Sequence, residues 1–145
     1  MKLKFLTFAL ITLLPFNVWA QWGQLDQDGF RYVTTSDRGS FYYKIQRMET
    51  NYYKSADVWI KIKEKTKTYK NSKGKVVTTG GKVALSLITI SCSNSRKYTV
   101  KKYIEYNSKG VPIAEEDGSY KEEYVIPGSI MDSIFDSICF AIGTE

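Results

Sequence analysis

Residues 127–142 read PGSIMDSIFDSICFAI, and this stretch decides the fold because its apolar period differs from everything before it. Ile130 and Met131, Ile134 and Phe135, Ile138 and Cys139, and then Ile142 recur in pairs four apart, while Asp132, Ser133, Asp136 and Ser137 fill the opposite side. That spacing predicts an amphipathic helix with one apolar stripe. Ser129 stands at the N-cap position, and Asp132 lies three residues on, where a carboxylate suits the positive helix end. Cys139 falls on the apolar stripe, one turn beyond Phe135.

Upstream the period is two. Phe30 to Thr35 and Ser40 to Met48 flank Asp37-Arg38-Gly39 as a hairpin would. Val58, Ile60 and Ile62 alternate with Trp59, Lys61 and Lys63, which predicts a half-buried strand. Val83 to Cys92 and Lys97 to Tyr106 are rich in Val, Ile, Leu, Thr and Tyr and read as central strands. The tetrapeptide Asn-Ser-Lys-Gly occurs at 71–74 and again at 107–110, each time as a hairpin tip. Gly80-Gly81 marks a bulge or bend where the first of these hairpins leaves the sheet. The fold class expected is α+β: an antiparallel β-sheet of about five or six strands with the C-terminal helix packed on one face.

The N-terminus follows the export pattern, with Lys2 and Lys4, an uncharged core from Phe5 to Leu14, and Val18-Trp19-Ala20 before the cleavage point. Residues 1–20 are read as a signal peptide and residues 21–145 as a single domain. The apolar core of ten residues is short for a membrane span, which needs roughly 20. Cys92 is the first cysteine, so no thiol is placed for lipid attachment at the cleavage point. The expected product is exported to periplasm, cell surface or medium, is not lipid-anchored, and has no transmembrane segment. In an oxidising compartment the two cysteines, Cys92 and Cys139, are expected to be bridged, which would staple helix to sheet.

The 145-residue chain has a formal charge of +6 and no histidine. The missing imidazole removes the usual general base and the commonest metal ligand. No catalytic residue, metal or cofactor is expected, and the chain is not read as an enzyme. Glu115, Glu116, Asp117, Glu122 and Glu123 read as a solvated loop, because no calcium-loop pattern accompanies them. The charge is divided along the chain. From Gln21 to Ile104 there are seventeen Lys and Arg against six Asp and Glu, and from Glu105 onward two against nine. Lys61, Lys63, Lys65 and Lys67 fall on one strand face, and Lys70, Lys73 and Lys75 crowd the turn that follows. These seven lysines are the candidate binding residues, suited to a protein partner with acidic segments or to an acidic glycan. Protection of an exposed edge against aggregation explains them equally well. Nucleic acid is not an expected partner, and a homodimer stays open. Of the Tyr42-Tyr43 and Tyr52-Tyr53 pairs, alternation turns one member inward and the other outward.

Trp22, Tyr42-Tyr43, Val58-Trp59, Cys92, Tyr98, Tyr106 with Gly110, Pro127-Gly128-Ser129 and Cys139 occur in an order that resembles the surface-adhesin E family of Gram-negative envelope proteins. The resemblance spans nearly the whole exported part. It implies an antiparallel sheet with a C-terminal helix pinned to it by the disulfide, and adhesion to host matrix and serum proteins such as vitronectin and laminin. The alternative expectation is a periplasmic enzyme inhibitor or an accessory subunit of an envelope complex.

Overall fold

The computed structural model describes residues 25–49 and 54–143. The export segment, Trp22 and the Tyr52-Tyr53 pair lie outside them. In chain order the elements are β1 (Arg31–Thr35), β2 (Gly39–Glu49), β3 (Ser55–Glu64), β4 (Lys67–Lys70), β5 (Val76–Thr79), β6 (Val83–Ser91), β7 (Lys97–Tyr106), β8 (Pro112–Asp117), β9 (Glu122–Tyr124) and α1 (Ile130–Gly143). One antiparallel sheet runs β1-β2-β3-β6-β7-β8, with β9 also paired to β7, while β4 and β5 form a separate two-stranded sheet. The α+β fold with a helix on the sheet is therefore the one the two periods predict.

Alternation places the core. In β3 Ala56, Val58 and Ile60 are buried on one face, and their cross-strand partners Ile90 and Ile88 in β6 are buried with them. Tyr43 and Phe41 extend this layer into β2. The helix closes it with Ile134, Phe135, Ile138 and Ile142; Val58, Ile90 and Ile138 have no measurable exposure. Removing these apolar groups from water supplies the main stabilising term, about 25 cal/mol per Å². Tyr43 points into the core at 5% exposure, whereas Tyr42 lies on the opposite face and meets Tyr32 edge-on at 5.7 Å.

The helix start is capped as its sequence dictates. Asp132 N donates to Ser129 Oγ at 3.1 Å, and Asp132 Oδ2 accepts from Gly128 N at 2.8 Å, so two donors at the helix entrance are satisfied reciprocally. Arg96 bonds both Asp132 and Asp136, and its guanidinium lies 4.5 Å from the Phe135 ring centre. Cys92 and Cys139 are bonded, with Cα atoms 5.5 Å apart. The bridge ties the residue after β6 to the C-terminal half of α1.

The two Asn-Ser-Lys-Gly segments are both hairpin tips. Asn71 Oδ1 accepts from Lys73 N and Lys75 N at 3.0 Å each, and Asn107 Oδ1 accepts from Lys109 N and Val111 N at 2.9 and 3.0 Å. Such side-chain acceptors hold a turn that the strands then extend. The β3–β6 ladder reaches Lys63 opposite Val83 and is closed by Glu64 N donating to Lys82 O at 2.9 Å. Everything from Lys65 to Gly81 stands outside it. The departure needs glycine: Gly80 and Gly81 have φ of 82° and 78°, and a Cβ on Gly80 would lie 2.3 Å from Lys65 O. The core takes no side chain from between Ile62 and Ile88.

Two expectations change. Glu115, Glu116 and Asp117 belong to β8, and Glu122 and Glu123 to β9, so the acidic segment is edge strand and not loop. Both strands lie along β7, separated by a link in which Gly118 N donates to Lys101 O and Tyr120, at φ 52°, donates to Val100 O. With Glu115, Glu116, Asp117, Glu122 and Glu123 all exposed, the segment has no apolar alternation to announce it. The second change concerns the lysines.

Candidate functional site

The lysine ladder divides into two groups that do different things. Lys61 does lie on the β3 face opposite the core layer, but that face is covered at this point by the turn that leads into β1. Lys61 is 4% exposed, and its Nζ donates to Asp26 Oδ2 at 2.8 Å and to Asp28 Oδ2. The Phe30 ring lies 4.7 Å from the same ammonium group. Lys61 is thus an anchor for the N-terminal turn and is not available to a partner. Lys63, half exposed, reaches to 3.8 Å from Asp26 Oδ2 and sits over the Tyr42 ring. The ladder does not continue along one strand either, because β3 ends at Glu64 and Lys67 begins β4 in the other sheet.

The Asp26–Lys61 pair has a measurable consequence. Burial pushes the Asp26 carboxyl up, but hydrogen bonds from Lys61 Nζ, Phe30 N and Asp28 N and the charge of Lys61 outweigh it, and the pKa falls from 3.8 to about 2. Burial lowers the Lys61 pKa, and its bonds to Asp26 and Asp28 raise it further than burial depresses it. A carboxyl whose pKa is depressed on folding stabilises the native state above its unfolded value and loses that contribution as pH falls toward the folded value. Stability should therefore decline between pH 3.8 and about 2, by about 2 kcal/mol from this group. Asp26→Asn should be less stable at neutral pH and flatter over that interval. Urea titrations of both proteins across it would check this; parallel pH profiles would contradict the assignment.

Lys65, Lys67, Lys70, Lys73 and Lys75 form the second group. All five are exposed, none makes an ion pair with another described residue, and no acidic residue occurs between Lys65 and Gly81. They occupy an arm in which β4 and β5 pair only with each other, from Lys67 opposite Thr79 to Lys70 opposite Val76. At its root a cleft of about 690 Å³ is lined by Arg38, Lys65 and Lys67 together with Asp37 and Glu64. Lys65 N donates to Arg38 O at 3.1 Å, which fixes that approach. Sequence alone does not connect Arg38 to the arm, because it comes from the β1–β2 turn and no local pattern links the two.

On the β6–β9 side of the sheet several lysines are matched by carboxylates. Lys97 meets Glu122, Lys101 meets Asp57, Lys102 meets Glu115 and Lys82 meets Glu105. Tyr98 donates to Glu123 at 2.6 Å, and burial with that bond pushes its hydroxyl pKa up to about 12. The arm is the part of the described surface where positive charge is left uncompensated over a continuous stretch. Its ammonium groups and open strand edges can attract and hydrogen-bond an acidic surface. Among the described residues no helix is long and apolar enough to cross a membrane. The chain matches no family model, no curated protein and no solved structure.

Proposed function

We propose that this chain is a non-enzymatic exported binding protein that presents the β4–β5 arm to an acidic partner. The observation that carries the reading is the run of five exposed, unpaired lysines on a hairpin that contributes nothing to the core. The resemblance to the surface-adhesin E family directs it toward adhesion, with host matrix or serum proteins of the vitronectin and laminin type, or an acidic glycan, as the ligand. Recognition of this kind is electrostatic and spread over several side chains, without a buried anchor.

The test is a triple variant, Lys67→Gln, Lys70→Gln and Lys73→Gln, measured against immobilised heparin as a sulfated-glycan probe and against vitronectin and laminin. Binding should weaken about tenfold or more and fall further with salt, since these charges act over about 8 Å at physiological ionic strength. The melting temperature should barely move, because exposed like charges contribute little to folding. A parent that binds none of the three probes, or a variant that binds as tightly as the parent at low salt, would overturn the reading and leave edge protection as the role of the lysines.

A further inference from the structure

A cationic arm and an anionic edge occur on the same chain, and the geometry points to a contact between them across two copies: we infer that the β4–β5 arm of one copy lies along the β8–β9 edge of another. The inference rests on the reading that the arm takes an acidic partner, and it adds a second copy of this chain as one such partner.

The arm lacks a surface of its own to pack on. Two-stranded ribbons are marginal in water, and this one also carries five like charges that repel one another. Tyr69 and Val76 are 51% and 57% exposed on it. An opposing acidic surface would relieve both the repulsion and the exposure.

The edge has the complementary features. β8 and β9 pair with β7 along one side only, so their outer backbone groups are open to an added strand. Five carboxylates line it, at Glu115, Glu116, Asp117, Glu122 and Glu123, with Lys121 as the one cation between Pro112 and Tyr124. Lys102 and Lys97 engage Glu115 and Glu122, whereas Glu116 and Asp117 make no ion pair among the described residues. Tyr120 and Tyr124 are 65% and 68% exposed along the same edge, and Tyr120 is held there in a left-handed backbone conformation that a tyrosine rarely adopts. Aromatic faces beside carboxylates are suited to ammonium groups, and Lys97 already lies 5.0 Å from the Tyr124 ring centre. The contact joins two different surfaces, so it closes as a reciprocal twofold dimer or extends as a chain of copies.

Sedimentation equilibrium on the disulfide-bonded protein tests this directly. The parent should self-associate with rising concentration at about 10 mM salt and dissociate at about 1 M, where the Debye length shrinks from about 30 Å to about 3 Å. An arm variant (Lys67→Glu, Lys70→Glu, Lys73→Glu) and an edge variant (Glu116→Lys, Asp117→Lys) should each associate at least tenfold more weakly alone. Mixed together they should form a heterocomplex, because each arm then meets an edge of opposite sign. The mixture also guards against misfolding, since neither variant can regain association unless both are folded. Heparin binding is measured in parallel. A parent that stays monomeric at low salt yet binds heparin overturns the self-docking and leaves the binding arm standing; a parent that does neither overturns both. Association that survives the edge reversal, or a mixture that stays monomeric, also overturns it.

Discussion

Ile134→Asp should unfold the protein or bring it close to unfolding, while Asp136→Ala two residues away should leave it nearly intact. Ile134 is 3% exposed in the layer between α1 and the sheet, and a carboxylate there would sit in an apolar cluster. Losing the apolar contact and burying an unpaired charge together should cost more than about 4 kcal/mol, against a total stability of about 5–15 kcal/mol for a domain. Asp136 is largely exposed, and its bond to Arg96 is shared with Asp132, which remains in the variant. Removing it should cost no more than about 1 kcal/mol. Urea midpoints decide the matter: equal midpoints would mean that α1 is not packed through Ile134.

Replacing both half-cystines, Cys92→Ala with Cys139→Ala, should destabilise the fold by about 4 kcal/mol if the bridge acts by restricting the unfolded chain. The two residues are 47 apart in sequence, so the severed loop is a long one. Stability measured with and without reductant should show the same loss in the parent and none in the double variant. The helix should remain part of the native state when the protein does fold, since Ile138 is fully buried and Arg96 still bonds Asp132 and Asp136. A difference below about 1 kcal/mol would show that packing alone holds α1 in place.

The elements that sequence made legible are those whose signal is local. The pairs four apart in 130–142 mark α1, Ser129 marks its start, and the two Asn-Ser-Lys-Gly segments mark hairpin tips because Asn71 and Asn107 close their turns within four residues. Gly80-Gly81 marked the point where the arm leaves. Lys61 could not be read this way. Alternation gave its face correctly, but its partners Asp26 and Asp28 are 35 and 33 residues distant, and only tertiary structure lays that turn over it. β8 and β9 were hidden for a different reason: an exposed edge strand has no face to bury, so its residues carry no period. Of the seven lysines singled out, five form the arm, Lys63 stands at the sheet margin and Lys61 is structural.

Because the ladder closes from Glu64 to Lys82 and the core takes nothing from between Ile62 and Ile88, the arm and the body can vary independently. A substitution at Lys67 or Lys73 meets no packing constraint, so its fate under selection is set by what the arm touches and hardly at all by whether the protein folds. Ile88 and Ile90 are under the opposite regime, where nearly every change is first a change in stability. The chain is built so that the arm can change in length, charge and sequence on a scaffold that stands still.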